Sequence, residues 1–289
     1  MEFSGWDAAT ACAKAATYAA TLGAAGAIFF LAYSRDLLHE PLRLRIRRLV
    51  GILLMVSAFA SCAKILLSAG SMSGDLAGMF DRDSARMILG AGEGRATAMR
   101  VAGLALAALA IPSNPRFRVL ALLGAATASI SFAGVGHIRA LPSLAPSLLL
   151  SVHLLCAAFW LGALAPLLIA TRDGNHSQIA SIASRFGKLA VGVVVLLVAA
   201  GIGVLWILIG DAAKFWSSDY GRMVAIKLFG VAALLSVAAM NKLYLTPKLL
   251  KGDRKALIQF RRSVQTEMII GALILLITAT FTTITGPPR

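Results

Sequence analysis

Charge is scarce in this chain. Of its 289 residues only 14% are Asp, Glu, Lys or Arg, and 58% are apolar. Soluble domains carry about a quarter charged residues. So few charges cannot cover a water-soluble enzyme, and so apolar a chain cannot stay disordered. Cysteine is scarce as well: Cys12, Cys62 and Cys156 all fall inside apolar stretches. An odd count in such places excludes a disulfide framework and reads as small buried hydrophobes. No stretch alternates apolar and polar residues for long enough to build a closed barrel. A GxxxxGK[ST] loop, an HExxH helix and any pairing of nucleophile with base are all missing, so the protein is not expected to be an enzyme. The glycines Gly90, Gly92 and Gly94 have no strand before them and read as a turn. Residues 1–8 hold Glu2 and Asp7 and no cation. A signal peptide needs a basic n-region, so the first apolar span is expected to remain in the mature protein.

What the chain does have is apolar runs. Mean hydropathy is +0.81, and the sequence divides into eight stretches long enough to cross about 30 Å of hydrocarbon. They cover about 9–34, 49–70, 95–111, 119–136, 147–170, 189–210, 222–245 and 264–286. The third is the least apolar, with Arg95 and Arg100 in its first turns. The expected fold is all-α, a single polytopic membrane domain over 1–289 built as a bundle of eight transmembrane helices.

The net charge of +15 could suggest nucleic acid, but the basic residues sit in short blocks between the apolar runs. There they act as topology signals, and no nucleic-acid partner is expected. The connections after spans one, three, five and seven hold sixteen Lys and Arg, from Arg35 to Arg262; the other connections and the tails hold six. The richer side belongs in the cytoplasm, which puts both termini outside. Asp75, Asp81, Asp83, Glu93, Asp211 and Asp219 fall on the outer side with Glu2 and Asp7. The longest connections, about 71–94 and 246–263, are too short for a soluble domain. Any site therefore lies within the bundle or at its outer mouth.

Two of the four histidines stand out. His137 closes span four in Gly134-Val135-Gly136-His137, and His153 lies about six residues into span five. Six residues rise ~9 Å, so both sit near the outer face, one short loop apart. Imidazoles at membrane depth are costly and mark functional sites. The pair can share a metal ion or ligate a haem iron, or each can bond a backbone carbonyl and pack. His39 and His176 read as solvated loop residues.

Cys156 and Trp160 follow His153 at three and seven residues, on one stripe of the helix. A thiol beside an imidazole suits Cu(I), as do the thioethers of Met72, Met79 and Met87 in the outer loop. The plainer readings are core packing for Cys156 and Trp160 and interfacial packing for the methionines, with Gly162 allowing close helix approach. Lys14, Lys64, Arg95, Arg100 and Lys227 lie in or near the outer halves of spans. They read either as snorkelling side chains or as partners of an anionic group, such as haem propionates or the outer aspartates. Glu267 stands one turn into span eight, where an ion pair with Lys242, Arg261 or Arg262 is expected and a proton relay is the alternative.

Gly136-His137, then His153 followed by Trp160-Leu161-Gly162, resembles the copper resistance protein D (CopD/PcoD) family. Tyr220-Gly221-Arg222 with Lys227 and Asn241 is similar to its penultimate span. Arg262-Ser263-Val264 with Glu267, leading through Thr278–Thr285 to Pro287-Pro288, is similar to its last. The resemblance covers about 128–288 clearly and 1–127 more weakly. It implies an eight-span protein of the bacterial inner membrane with both termini periplasmic. Its role would be copper homeostasis or resistance, as a permease taking copper from the periplasm toward the cytoplasm. A separate periplasmic CopC-like copper-binding protein is the implied partner, alongside membrane lipid. His137 and His153 are the implied copper positions, with Cys156, Met72 and Met79 as further sulfur candidates and Trp160, Lys227 and Glu267 in supporting places. Binding by neutral imidazoles implies an affinity that falls as they protonate, near about 6.5 if unperturbed. The alternative function is b-type haem electron transfer through the same His pair.

Overall fold

A computed structural model describes residues 5–112, 114–136, 143–173, 175–209 and 212–284, and no strand occurs among them. The helices are α1 (Gly5–Tyr33), α2 (Glu40–Ser73), α3 (Arg82–Gly90), α4 (Gly92–Ala107), α5 (Arg118–Ile130), α6 (Ala145–Asp173), α7 (His176–Ile209), α8 (Ala212–Ser217), α9 (Asp219–Met240), α10 (Thr246–Leu250) and α11 (Arg254–Ile284). The chain is an all-α, multi-pass membrane protein. A helical bundle satisfies its backbone within each segment, which hydrocarbon demands.

Seven helical segments are long and apolar enough to cross a bilayer: Gly5–Tyr33, Glu40–Ser73, Pro115–Gly134, Ala145–Arg172, His176–Ile209, Asp219–Leu250 and Arg254–Ile284. The third expected span is α4, 16 residues continued by a 3-10 turn over Ala108–Ala110. Several helices run well past their apolar stretches. α2 begins at Glu40, with Pro41 in its first turn, and α11 begins at Arg254. Arg and Lys are good helix formers, so the basic blocks prolong the helices instead of breaking them.

α1 is the most enclosed span and packs against α2, α5, α6 and α11. Glycine makes the closest approach possible. A Cβ on Gly26 would stand 2.0 Å from the Ala158 carbonyl oxygen and 2.5 Å from the Gly162 Cα, so α1 and α6 cross backbone to backbone. Gly103 and Gly124 do the same for α4 and α5, each with backbone 2.5 Å from a built Cβ. Thr21 and Ser57 share a buried hydroxyl bond of 2.6 Å between α1 and α2. α7 and α9 are the least enclosed spans. They carry Trp206 and Phe229, each 80% exposed. Apolar side chains standing outward in this way suit contact with lipid.

The connections gather at two ends. At the arginine-rich end, the Tyr33 hydroxyl donates to the Arg185 carbonyl at 2.7 Å, and the Arg185 guanidinium pairs with both carboxylate oxygens of Asp36. Gln178 Nε2 donates to the Leu37 carbonyl at 2.6 Å and to His39 Nδ1 at 2.9 Å. His176 is not simply solvated: its Nε2 donates to the Leu249 carbonyl at 2.9 Å, tying the start of α7 to α10, while its buried Nδ1 has no partner. At the opposite end, Met79 and the Trp6 ring both close over Gly70. There Lys14 Nζ donates to the Thr282 carbonyl at 3.0 Å, setting the early part of α1 beside the last turns of α11.

Candidate functional site

His153 lies on α6 eight residues after Ala145, ~12 Å along the helix, toward the end that holds Lys14 and Thr282. Its Nδ1 donates to the Leu197 carbonyl of α7 at 3.0 Å. The ring lies against Gly201, where a Cβ would meet Nδ1 and Cε1 at 3.1 Å. With the proton on Nδ1, the neutral ring keeps its lone pair on Nε2. Metal-binding histidines are oriented in this way, through a bond from the other ring nitrogen to a carbonyl. His137 lies outside the described residues, as does the tail with Pro287 and Pro288.

The other candidates lie on α6 and around the end of α2 and α3. Cys156 and Trp160 are buried in the main apolar core. Met72 is exposed at the end of α2, Met87 is exposed on α3, and Met79 packs over Gly70. Among the described residues no group of three or more His, Cys, Asp and Glu could hold a metal ion. Lys227 on α9 has its Nζ 5.9 Å from the Phe281 ring and interacts electrostatically with His153.

The outer cations do not simply snorkel. Arg100 is 1% exposed; its Nε donates to Ser131 Oγ at 3.2 Å and its Cζ lies 4.2 Å from the Phe132 ring centroid. Phe132 in turn meets the Tyr18 ring edge-on at 4.7 Å. Lys64 Nζ and Glu93 Oε1 pair at 2.5 Å. Glu93 also interacts with Lys14 and Arg100. One carboxylate therefore faces three cations from α1, α2 and α4, and the cluster is net positive. Arg95 alone of the α4 pair is exposed. This network joins residues far apart in sequence; cations inside apolar runs were the local signal of it.

A second polar cluster lies toward the arginine-rich end. Glu267 is 3% exposed and accepts a hydrogen bond from Asn241 Nδ2. The expected ion pair is overturned: among the described residues no ion pair joins Glu267 to Lys242, Arg261 or Arg262. The Lys242 chain runs across Gly187 instead, with Cδ 3.0 Å from a built Cβ. Asn241 opens a π-turn, Asn241–Leu245, between α9 and α10. Pro247 explains that turn: its ring would strike the carbonyl four residues back in a regular helix, and it has no N–H to donate. The Thr246 hydroxyl adds a bond to the Asn241 carbonyl at 2.8 Å.

The family model described as copper resistance protein D matches residues 180–281. The model described as copper resistance protein D-like, N-terminal domain, matches residues 6–144. Comparison with curated proteins and with solved structures finds no match.

Proposed function

Because the chain belongs to the copper resistance protein D family, and is thus a copper-resistance protein of the membrane, we propose that it is an inner-membrane copper permease. Copper is its cargo, received at the periplasmic mouth and passed toward the cytoplasm. A separate CopC-like protein is the proposed donor. The protein acts by binding and passage, with no catalytic group assigned.

The observation that carries this reading is the bond from His153 Nδ1 to the Leu197 carbonyl, which aims an Nε2 lone pair from a fixed ring. His137, eight residues before α6 in the sequence, is proposed as the second ligand. Cys156, Met72, Met79 and Met87 have no assigned part in the reading.

Eight crossings with both termini outside also form part of the proposal. The contact of Lys14 with Thr282 supports it, since an odd number of crossings would put the start of α1 and the end of α11 on opposite faces. α4 then supplies the eighth crossing. Its 16 residues and 3-10 turn reach about 30 Å, at 1.5 Å and 2.0 Å per residue.

Purified protein incubated anaerobically with Cu(I) and desalted is expected to keep about one copper per chain. The His137→Ala/His153→Ala double variant is expected to lose it, and His153→Ala to reduce copper accumulation in cells. Unchanged accumulation at normal protein level would remove His153 from the reading. A b-type haem is the second reading. It is favoured by Lys227 beside His153 and by the net-positive cluster of Lys14, Lys64 and Arg100, which suit propionates better than an incoming cation. Iron in place of copper, with a Soret band that shifts on reduction, would establish it.

A further inference from the structure

Glu267 poses a problem that its partners do not solve. It is a carboxyl group enclosed within a span, and a buried carboxylate requires a cation or a full set of donors. Its hydrogen-bond partner is one amide N–H, from Asn241. The neighbours add capacity that is also unused. Asn241 is 6% exposed and its Oδ1 has no hydrogen-bond partner; Ser263 is 4% exposed and its Oγ has none. Ser263 precedes Glu267 by four residues on α11, on the same helix face. Asn241 thus bonds Glu267, Ser263 shares its helix face, and an amide oxygen and a hydroxyl stand enclosed without partners.

The charged and titratable groups around them are engaged elsewhere or point away. Lys242, on the π-turn, lies along Gly187. Tyr244 and Lys248 bond one another at the surface. Tyr33 of α1 donates to the Arg185 carbonyl. Arg261 and Arg262 lie more than a turn back on α11, with Arg262 exposed, and Arg172 is exposed at the end of α6. Oxygen donors without sulfur or imidazole are also poor ligands for Cu(I).

We propose that Glu267, Asn241 and Ser263 form an exchangeable-proton site within the bundle. The proton adds to a carboxylate oxygen of Glu267, giving the un-ionised acid. Asn241 Nδ2 continues to donate to Oε1, and the new O–H donates to Ser263 Oγ or Asn241 Oδ1. Release reverses the step, and no other bond is made or broken. The π-turn is what brings the amide to this place. In the permease reading, on which only this last clause rests, the site is where a proton moves with or against copper.

The test is infrared difference spectroscopy on the full chain reconstituted in liposomes, without copper. At neutral pH the wild type is expected to show the carbonyl stretch of an un-ionised carboxyl group, shifting in heavy water. Glu267→Gln is expected to lose that band, and Ser263→Ala to shift it while retaining native elution and helicity. A spectrum without the band in folded wild type, or a band unchanged in Glu267→Gln, would overturn the proposal. Loss of the band on adding Na⁺ at fixed pH would also overturn it, by assigning the site to a metal cation. A band that survives while the His pair proves unable to bind copper leaves the proton site standing and removes the permease reading. The converse result separates them the other way.

Discussion

At the scale of single residues, the enclosed polar groups matter most. Glu93 is a carboxylate facing Lys14, Lys64 and Arg100. Glu93→Gln removes a negative charge that faces three cations. It is expected to cost about 1–2 kcal/mol, toward the low side for a buried pair because Glu93 is partly exposed. Thermal unfolding in detergent checks this: the single variant is expected to melt below the Lys64→Met/Glu93→Gln double variant, which removes both members of the pair. Equal melting temperatures would show that the pair does not organise the cluster. His153 differs in kind. Its bond to the Leu197 carbonyl fixes the ring, and the copper-retention measurement tests its Nε2 as a ligand.

At the scale of elements, helix approach and end contacts set the arrangement. Gly26→Val would drive side-chain atoms into the Ala158 carbonyl and Gly162. Separating α1 from α6 is expected to cost about 3 kcal/mol or more and to reduce the yield of folded protein. Gly192→Ala on α7 is the control: a Cβ there meets nothing within 4 Å. It is expected to be neutral or to stabilise by up to about 1 kcal/mol. Similar yields of the two variants would show that the α1–α6 crossing tolerates separation. At the other extreme is the surface pair of Asp36 and Arg185, which ties the end of α1 to α7. Hydrogen bonds from Arg185 hold the Asp36 carboxyl below the usual carboxylate range. A group depressed in the folded state stabilises above its unfolded value, about 4, and loses that contribution as pH falls through the folded value. Asp36→Asn is therefore expected to lower the melting temperature slightly at neutral pH, with the difference vanishing in strong acid. A difference that persists there would mean the contact is not ionic.

At the scale of the whole molecule, the question is parity. The hydrogen bond from Lys14 to Thr282 sets the early part of α1 beside the last turns of α11, as the proposed even number of crossings requires. A C-terminal alkaline phosphatase fusion, active only outside the cytoplasm, is expected to be active. An inactive fusion on a folded, inserted protein would mean seven crossings and a different path for α4.

Much of this was legible in the sequence, and the reason is chemical. Apolar runs and basic blocks are local properties, and hydrocarbon leaves a helix as their outlet, so the all-α class, the membrane and the family were readable from residue order. Helix ends were less so, because Glu40–Arg48 and Arg254–Ser263 are basic yet helical. Partners were not readable. The sequence offered Glu267 three cations, Lys242, Arg261 and Arg262, and the fold gave it Asn241, at the start of the π-turn that Pro247 explains. Arg100 likewise meets Ser131 and Phe132 because α4 and α5 close at Gly103 and Gly124. Composition and periodicity act along the chain and so fixed what kind of molecule this is. Which buried charge meets which partner depends on how helices approach and rotate, and that is settled by packing between residues distant in sequence.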